Sequence, residues 1–158
     1  MVTIQALKEE LCGLIRGVPA FSASGFSVFD VDDFTDATEL QTYPVAGVMY
    51  DGSLPQEGGR NSVIPVSSGS SAVALVTRQF SVIVAVEYRF AGTGNSVGTA
   101  TDLMEQVCSK VMGYKGINSR PWRFIVEKPE VAVSGGGLVF YSQVWQTDVV
   151  VRGDSVTT

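Results

Sequence analysis

Residues 79–90 read QFSVIVAVEYRF. Phe80, Val82, Val84, Val86, Tyr88 and Phe90 alternate with Gln79, Ser81, Ile83, Ala85, Glu87 and Arg89. Side chains of a strand point alternately to its two faces, so this pattern predicts a long strand with one core face and one more mixed face. The run begins near Ala72 and is the strongest periodic signal in the chain. A second long β run follows at Leu138–Val151, preceded by Ser134-Gly135-Gly136-Gly137, and a shorter one, WRFIVE, covers Trp122–Glu127. These two are expected to pair as a hairpin about the glycine turn, with Val131–Val133 continuing the first arm. Pro129 either ends that arm or marks a sheet edge, because proline cannot donate to a ladder.

Two amphipathic helices flank the long strand. In the first, Thr3–Arg16, the residues Ile4, Leu7, Leu11, Leu14, Ile15 and Val18 recur at spacings of three and four. Lys8, Glu9, Glu10 and Arg16 take the other side, and Gly17 and Pro19 end the helix. The second is predicted from about Thr101 to Gly113, with the stripe Leu103, Met104, Val107, Cys108, Val111 and Met112. Thr99 and Asp102 have capping-box spacing ahead of it. Between the first helix and the long strand, Val45–Tyr50 (VAGVMY) reads as a strand that Asp51-Gly52 turns. Gly52–Ser71 is rich in Gly, Ser, Pro and Asn and reads as a long mobile loop, a place where function concentrates. The expected fold is α+β: a mainly antiparallel sheet with both helices packed on one face. One domain is expected over residues 1–152, with 153–158 as a flexible tail.

Composition narrows the chemistry. The 158 residues carry 11 Lys plus Arg against 16 Asp plus Glu, a net charge of −5, so there is no counterion-release drive toward nucleic acid. Histidine is absent, which removes His-based triads and His-containing metal sites. Cys12 and Cys108 lack metal-ligand spacing and read as small buried hydrophobes. No apolar run reaches the ~18 residues that span a bilayer, and MVTIQALKEE does not read as a signal peptide. A soluble protein made in a cytoplasm, without cofactor or metal and without enzymatic activity, is the expectation.

The remaining motifs have bland readings beside their functional ones. GTGNSVG at residues 92–98 misses the third glycine of GxGxxG by one place and reads as a strand-to-helix turn. Asp30, Asp32, Asp33 and Asp36 form an acidic patch that lacks the glycine of a calcium loop. It reads as a solvated turn, or as an acidic wall that repels DNA. Arg152-Gly153-Asp154 is a coincidental integrin-type tripeptide, and Ser residues have neither a G-x-S-x-G elbow nor a histidine. Trp122 and Trp145 are core or interface aromatics. Arg60, Arg78, Lys115, Arg120 and Arg123 are scattered; they could dock an acidic partner, with solvated surface as the default reading of each.

The order of VTIQALKEELCGLIRGVP, a mid-chain loop, QFSVIVAVEYRF, TDLMEQVCSKVMGY and PWRFIVEKPEVAVSGGGLVFYSQVWQTDVVV resembles the tail terminator (tail completion) proteins of long-tailed bacteriophages. That resemblance implies a structural virion protein, a homo-hexameric ring on the head-proximal end of the tail tube. It stops tube polymerisation, offers a surface to the head connector and, in contractile tails, to the sheath, and lets DNA pass without specific binding. Localisation in the virion at the tail–neck junction follows, with synthesis in the bacterial host cytoplasm and no membrane partner. No catalytic residues carry over. Under this reading Arg60, Asn61, Val63 and Ile64 form the loop contact with the tube or a neighbouring subunit. Val131, Val133, Tyr141 and Trp145 contribute to the subunit interface, and Asp30, Asp32, Asp33 and Asp36 to an acidic lumen. The alternatives are a head-closure or head–tail joining neck protein and, from another class, a small-ligand or nucleotide-binding α+β domain that uses the Gly92–Gly98 turn.

Overall fold

The computed structural model describes residues 2–22, 28–30, 45–55, 64–65, 72–87, 95–131 and 138–152. Along the chain run α1 (Ile4–Arg16), α2 (Pro19–Ser22), β1 (Val28–Asp30), β2 (Val45–Pro55), β3 (Ile64–Pro65), β4 (Ala72–Glu87), α3 (Asn95–Val111), β5 (Arg123–Val131) and β6 (Leu138–Arg152). The strands form one sheet in the order β1-β2-β4-β6-β5, with β3 pairing separately with β4. β1 is parallel to β2, and every other pairing is antiparallel. The centre is β4 against β6, in unbroken register from Val73↔Arg152 to Glu87↔Leu138. The α+β architecture with α1 and α3 on one face is therefore as expected.

One face of β4 carries Phe80, Val82 and Val84, opposite Tyr50, Val48 and Ala46 on β2 and Trp145, Gln143 and Tyr141 on β6. These residues pack with Leu7, Leu11 and Ile15 of α1 and Met104, Val107 and Val111 of α3. Gln143 is fully buried among them and fully used. Its Nε2 donates to the Met104 carbonyl of α3 at 2.9 Å and to Glu127 Oε1 at 2.7 Å, while its Oε1 accepts the Trp145 indole N–H at 3.2 Å. A buried amide is tolerated when all its bonds are made, and here it fixes α3 against the sheet.

The other face is split. At one end Val45, Ile83, Ala85 and Phe140 are buried. At the other end Thr77 Oγ1 donates to Asp148 Oδ1 at 2.8 Å, and Arg123 reaches the same carboxylate with both Nη atoms at 2.7 and 2.9 Å. Gln146 donates to Gln79 at 2.9 Å two register positions away, on the same face. Arg123 holds the Asp148 carboxyl below the usual carboxylate range against the opposing effect of burial, and Thr77 adds to the lowering.

Several sequence expectations change in detail. The Asp51-Gly52 signal does not end β2. It is absorbed as an irregularity in the β2–β4 register, with Gly52 at φ 122°, and the strand runs on to Pro55. The second helix starts at Asn95, so Thr99 lies within it and does not cap it. Met112 falls beyond its end and is 55% exposed. Pro129 sits within β5, opposite Tyr141, and β5 is the terminal strand of the described sheet, where proline is tolerated. Lys8, assigned to the solvated side of α1, is buried and paired with Asp30 of β1. Arg16 Nη2 also donates to the Val28 carbonyl at 2.9 Å, so α1 is tied to the edge strand at both ends of β1.

Glu10 departs furthest from the solvated reading. Its Oε1 accepts the Trp122 indole N–H at 2.8 Å, and its Oε2 accepts the Ile117 backbone N–H at 2.7 Å. Trp122 meets Phe80 edge-on, with ring centroids 5.4 Å apart, and Phe80 meets Tyr50 at 5.3 Å. Gly116 leaves the space this requires: a Cβ there would lie 1.9 Å from Glu10 Oε2.

Glu10→Ala is expected to cost about 2 kcal/mol, the magnitude of hydrogen bonds to a charged group, read as a lower urea midpoint at unchanged slope. Gly116→Ala should destabilise by displacing that carboxylate, and should cost far less in the Glu10→Ala background; equal cost in both backgrounds would contradict the clamp. Because the Asp148 pKa is lowered on folding, its contribution is present above the unfolded-state carboxylate range and is lost as pH falls through the folded value. The stability gap between the native chain and Asp148→Asn should therefore be widest near neutral pH and close in acid, as followed by thermal melts across pH.

Candidate assembly surface

The segment that joins α3 to β5 is short, irregular and closely tied. Gly113, at φ 73°, turns the chain out of α3, and Tyr114 N donates back to the Val111 carbonyl at 3.1 Å. Gly113 N bonds Trp122 O at 2.9 Å and Trp122 N bonds Tyr114 O at 3.0 Å, with Lys115 and Pro121 bridged between them. The tip is held by Ser119 N on Gly116 O at 3.1 Å, with Ser119 at φ 57°. Asn118 Nδ2 donates to Thr147 Oγ1 at 2.9 Å and to the Asp148 carbonyl at 3.0 Å, pinning the tip to β6. Glu10 pins it to α1 through Ile117.

A loop fastened on both flanks nevertheless presents apolar side chains to solvent. Ile117 is 53% exposed and Tyr114 44%. Ile117 stands between two shallow open grooves. One, of about 530 Å³, runs along α1 past Ala6, Gly13 and Leu14 to Tyr114. The other, of about 440 Å³, lies between Val2, Arg120 and the Val149–Val150 end of β6. Gly13 is an interior helical residue with nothing within 4 Å of where its Cβ would be. Glycine costs a helix interior roughly 1 kcal/mol relative to alanine, yet here it leaves the groove floor open. Exposed apolar patches of this kind, framed by polar residues, mark interaction surfaces.

The residues singled out from the sequence are placed differently. Arg60, Asn61, Val63, Val133, Asp32, Asp33 and Asp36 lie outside the described residues. Ile64 belongs to β3, with its backbone opposite Val73. Val131 is opposite Val139 at the hairpin end of β5 and β6. Tyr141 is half-buried against the core from the helix-covered face. Trp145 is fully buried in the chain's own core, edge-on to Phe124 at 5.4 Å, so its indole serves the fold and offers no surface to another subunit. Asp30 is exposed at the end of β1, where Lys8 and Gln5, the latter at 2.6 Å, occupy its carboxylate. Gly98, part of the turn assigned to the ligand-binding alternative, is inside α3.

Among the described residues no group of three or more His, Cys, Asp or Glu could hold a metal ion, and no helix is long and apolar enough to cross a membrane. Burial pushes the Cys12 thiol up to about 11, and burial also raises Cys108, so neither is poised as a thiolate.

The sequence reading missed Tyr114, Gly116, Ile117 and the clamp by Glu10. A signal was present: Lys110–Arg123 holds four cations and no carboxylate, in a chain of net charge −5. Weighing Lys115, Arg120 and Arg123 singly as contacts for an acidic partner, with Lys110 left out, concealed their clustering.

No curated protein matches the sequence. The fold is similar to that of a chain from the "Virion of native gene transfer agent (GTA) particle", with TM-score 0.52 and 16% identity over 89% of this chain and 92% of that one. It is also similar to a chain described as an extracellular contractile injection system "PVC sheath/tube terminator in extended state", with TM-score 0.54 and 10% identity. That likeness covers all of this chain, which spans 61% of the other. A sequence model of the family described as "Phage tail terminator protein" matches residues 17–156, starting immediately after α1. With a match over most of its length, the chain belongs to the phage tail terminator protein family.

Proposed function

We propose that this protein forms a hexameric ring at the head-proximal end of the tail tube, stops tube polymerisation there and gives the head connector its attachment surface. The family match over residues 17–156 carries this reading. The fold likeness to a chain described as a sheath/tube terminator supports it and extends it to sheath as a further partner. The role is structural and non-enzymatic, exercised in the virion at the tail–neck junction after assembly in the host cytoplasm. A chain of net charge −5 suits a channel through which DNA slides, because few cations are available to release counterions from its phosphates. An acidic lumen formed by Asp30, Asp32, Asp33 and Asp36 belongs to this proposal. So does a subunit contact through the β5–β6 hairpin at Val131, Val133 and Tyr141, whose edge strand β5 has no partner on its outer side among the described residues. A ring of identical subunits needs two different, mutually complementary surfaces on each copy.

The test combines polymerising tail-tube subunits with the purified chain. Tubes of arrested length carrying a six-fold ring at one end in electron micrographs are the expected result. Unarrested tubes together with binding to the isolated head connector would favour a head-closure protein instead. Stabilisation by a nucleotide in a thermal-shift panel, without ring formation, would favour the ligand-binding alternative. Within the terminator reading, Arg60→Glu should weaken capping and leave the melting temperature of the free chain unchanged.

A further inference from the structure

We propose that the α3–β5 segment, Lys110–Arg123, is one half of the head-to-tail contact between subunits, and that its occupant is the acidic surface of a second copy of this chain. The inference rests on the ring reading above and specifies its interface. Lys110, Lys115 and Arg120 are exposed, and among the described residues none of them is in an ion pair. Arg123 is committed to Asp148 but remains 43% exposed. The other 144 residues hold seven of the 11 cations and all 16 carboxylates, a balance of −9. A second copy therefore carries, outside this segment, charge opposite to that of Lys110, Lys115 and Arg120, which form no ion pair among the described residues. Like charges repel segment from segment, so the contact pairs unlike surfaces, which is the geometry that closes a ring.

The apolar part of the contact is already built. Ile117 and Tyr114 stand in the middle of the basic segment as the anchor, with the open floor at Gly13 beside them. An exposed anchor on a mobile loop would lose conformational entropy on docking. Here the clamps at Glu10 and Asn118 have fixed the loop before a partner arrives. Of these cations Arg120 lines the second groove beside Ile117, while Glu9 and Glu10 line the first. Charges around such an anchor steer encounter and set orientation more than they add affinity. Salt should therefore slow assembly, while loss of the anchor should prevent it.

The experiment mixes equal amounts of unlabelled and nitrogen-15 chain, assembles rings free or on tail tubes, and activates carboxylates with a carbodiimide that joins them to amines without a spacer. Mixed-isotope cross-links from Lys110 or Lys115 to Asp or Glu of another copy are expected. Ile117→Asp and Gly13→Gln should reduce ring formation at least tenfold with melting temperatures close to that of the native chain, since both positions are open to solvent. Gly13→Ala should raise the melting temperature slightly, which shows that the groove floor is not required for folding. Rings that form normally with Ile117→Asp, or lysine cross-links only to tube or connector proteins, would overturn this interface and leave the ring standing. Native chain that forms no ring with or without tubes would overturn the ring reading itself, and the interface with it.

Discussion

Much of this structure depends on one carboxylate. Glu10 accepts the indole N–H of Trp122 with one oxygen and the backbone N–H of Ile117 with the other. Both donors would otherwise be poorly satisfied: Trp122 is only 1% exposed, and Ile117 sits in a loop with no ladder to join. The bond to Trp122 sets the ring that meets Phe80, and Phe80 sits on the central strand pair beside Tyr50. The first helix, the sheet and the loop are thus positioned through a single side chain. The loop's closest approach requires the absence of a side chain at Gly116.

The sheet distributes its polar groups unequally. No buried side-chain polar atom among the described residues lacks a partner, and on the helix-covered face Gln143 joins α3, β5 and its neighbour Trp145. On the opposite face, Asp148, Thr77 and Arg123 close a network at one end, while Ile83 and Phe140 are buried at the other. Among the described residues the large exposed apolar side chains lie on the α3–β5 segment, on β5, where Phe124 and Ile125 flank an irregular register, and at Val150 of β6. Among the described residues, most of the exposed apolar surface lies at the β5 edge of the sheet and on the adjoining loop. Placing apolar residues on a loop already fixed by hydrogen bonds limits the entropy that any docking there would cost.

Elements with a strong period were legible from the sequence. β4, β6, the β5–β6 pairing and the buried stripe of α1 follow from alternation at two or recurrence at three and four, because those periods report which side chains share a face. Boundaries were less legible. Glycine at 52 signals a turn as readily as an irregularity within a strand, and the choice between them depends on the partner strand continuing opposite it. The start of α3 at Asn95 likewise lies in a stretch whose glycines argue against helix locally.

The sequence by itself determined the class of fold, the central strand pair and the face each helix buries, since these follow from the spacing of apolar residues along one chain. Its element order also pointed to the family. Only the tertiary structure decided the fates of the charged residues. Lys8, Glu10 and Asp30 read as solvated surface and Asp148 carried no signal of its own, yet the first three carry the ties between α1, the loop and β1, and Asp148 holds β4, β5 and β6 together. The physical reason is distance in sequence. Glu10 and Trp122 are 112 positions apart and Thr77 and Asp148 are 71 apart, so no local period relates them. A charged side chain becomes structural only when the fold brings its donor within hydrogen-bonding distance.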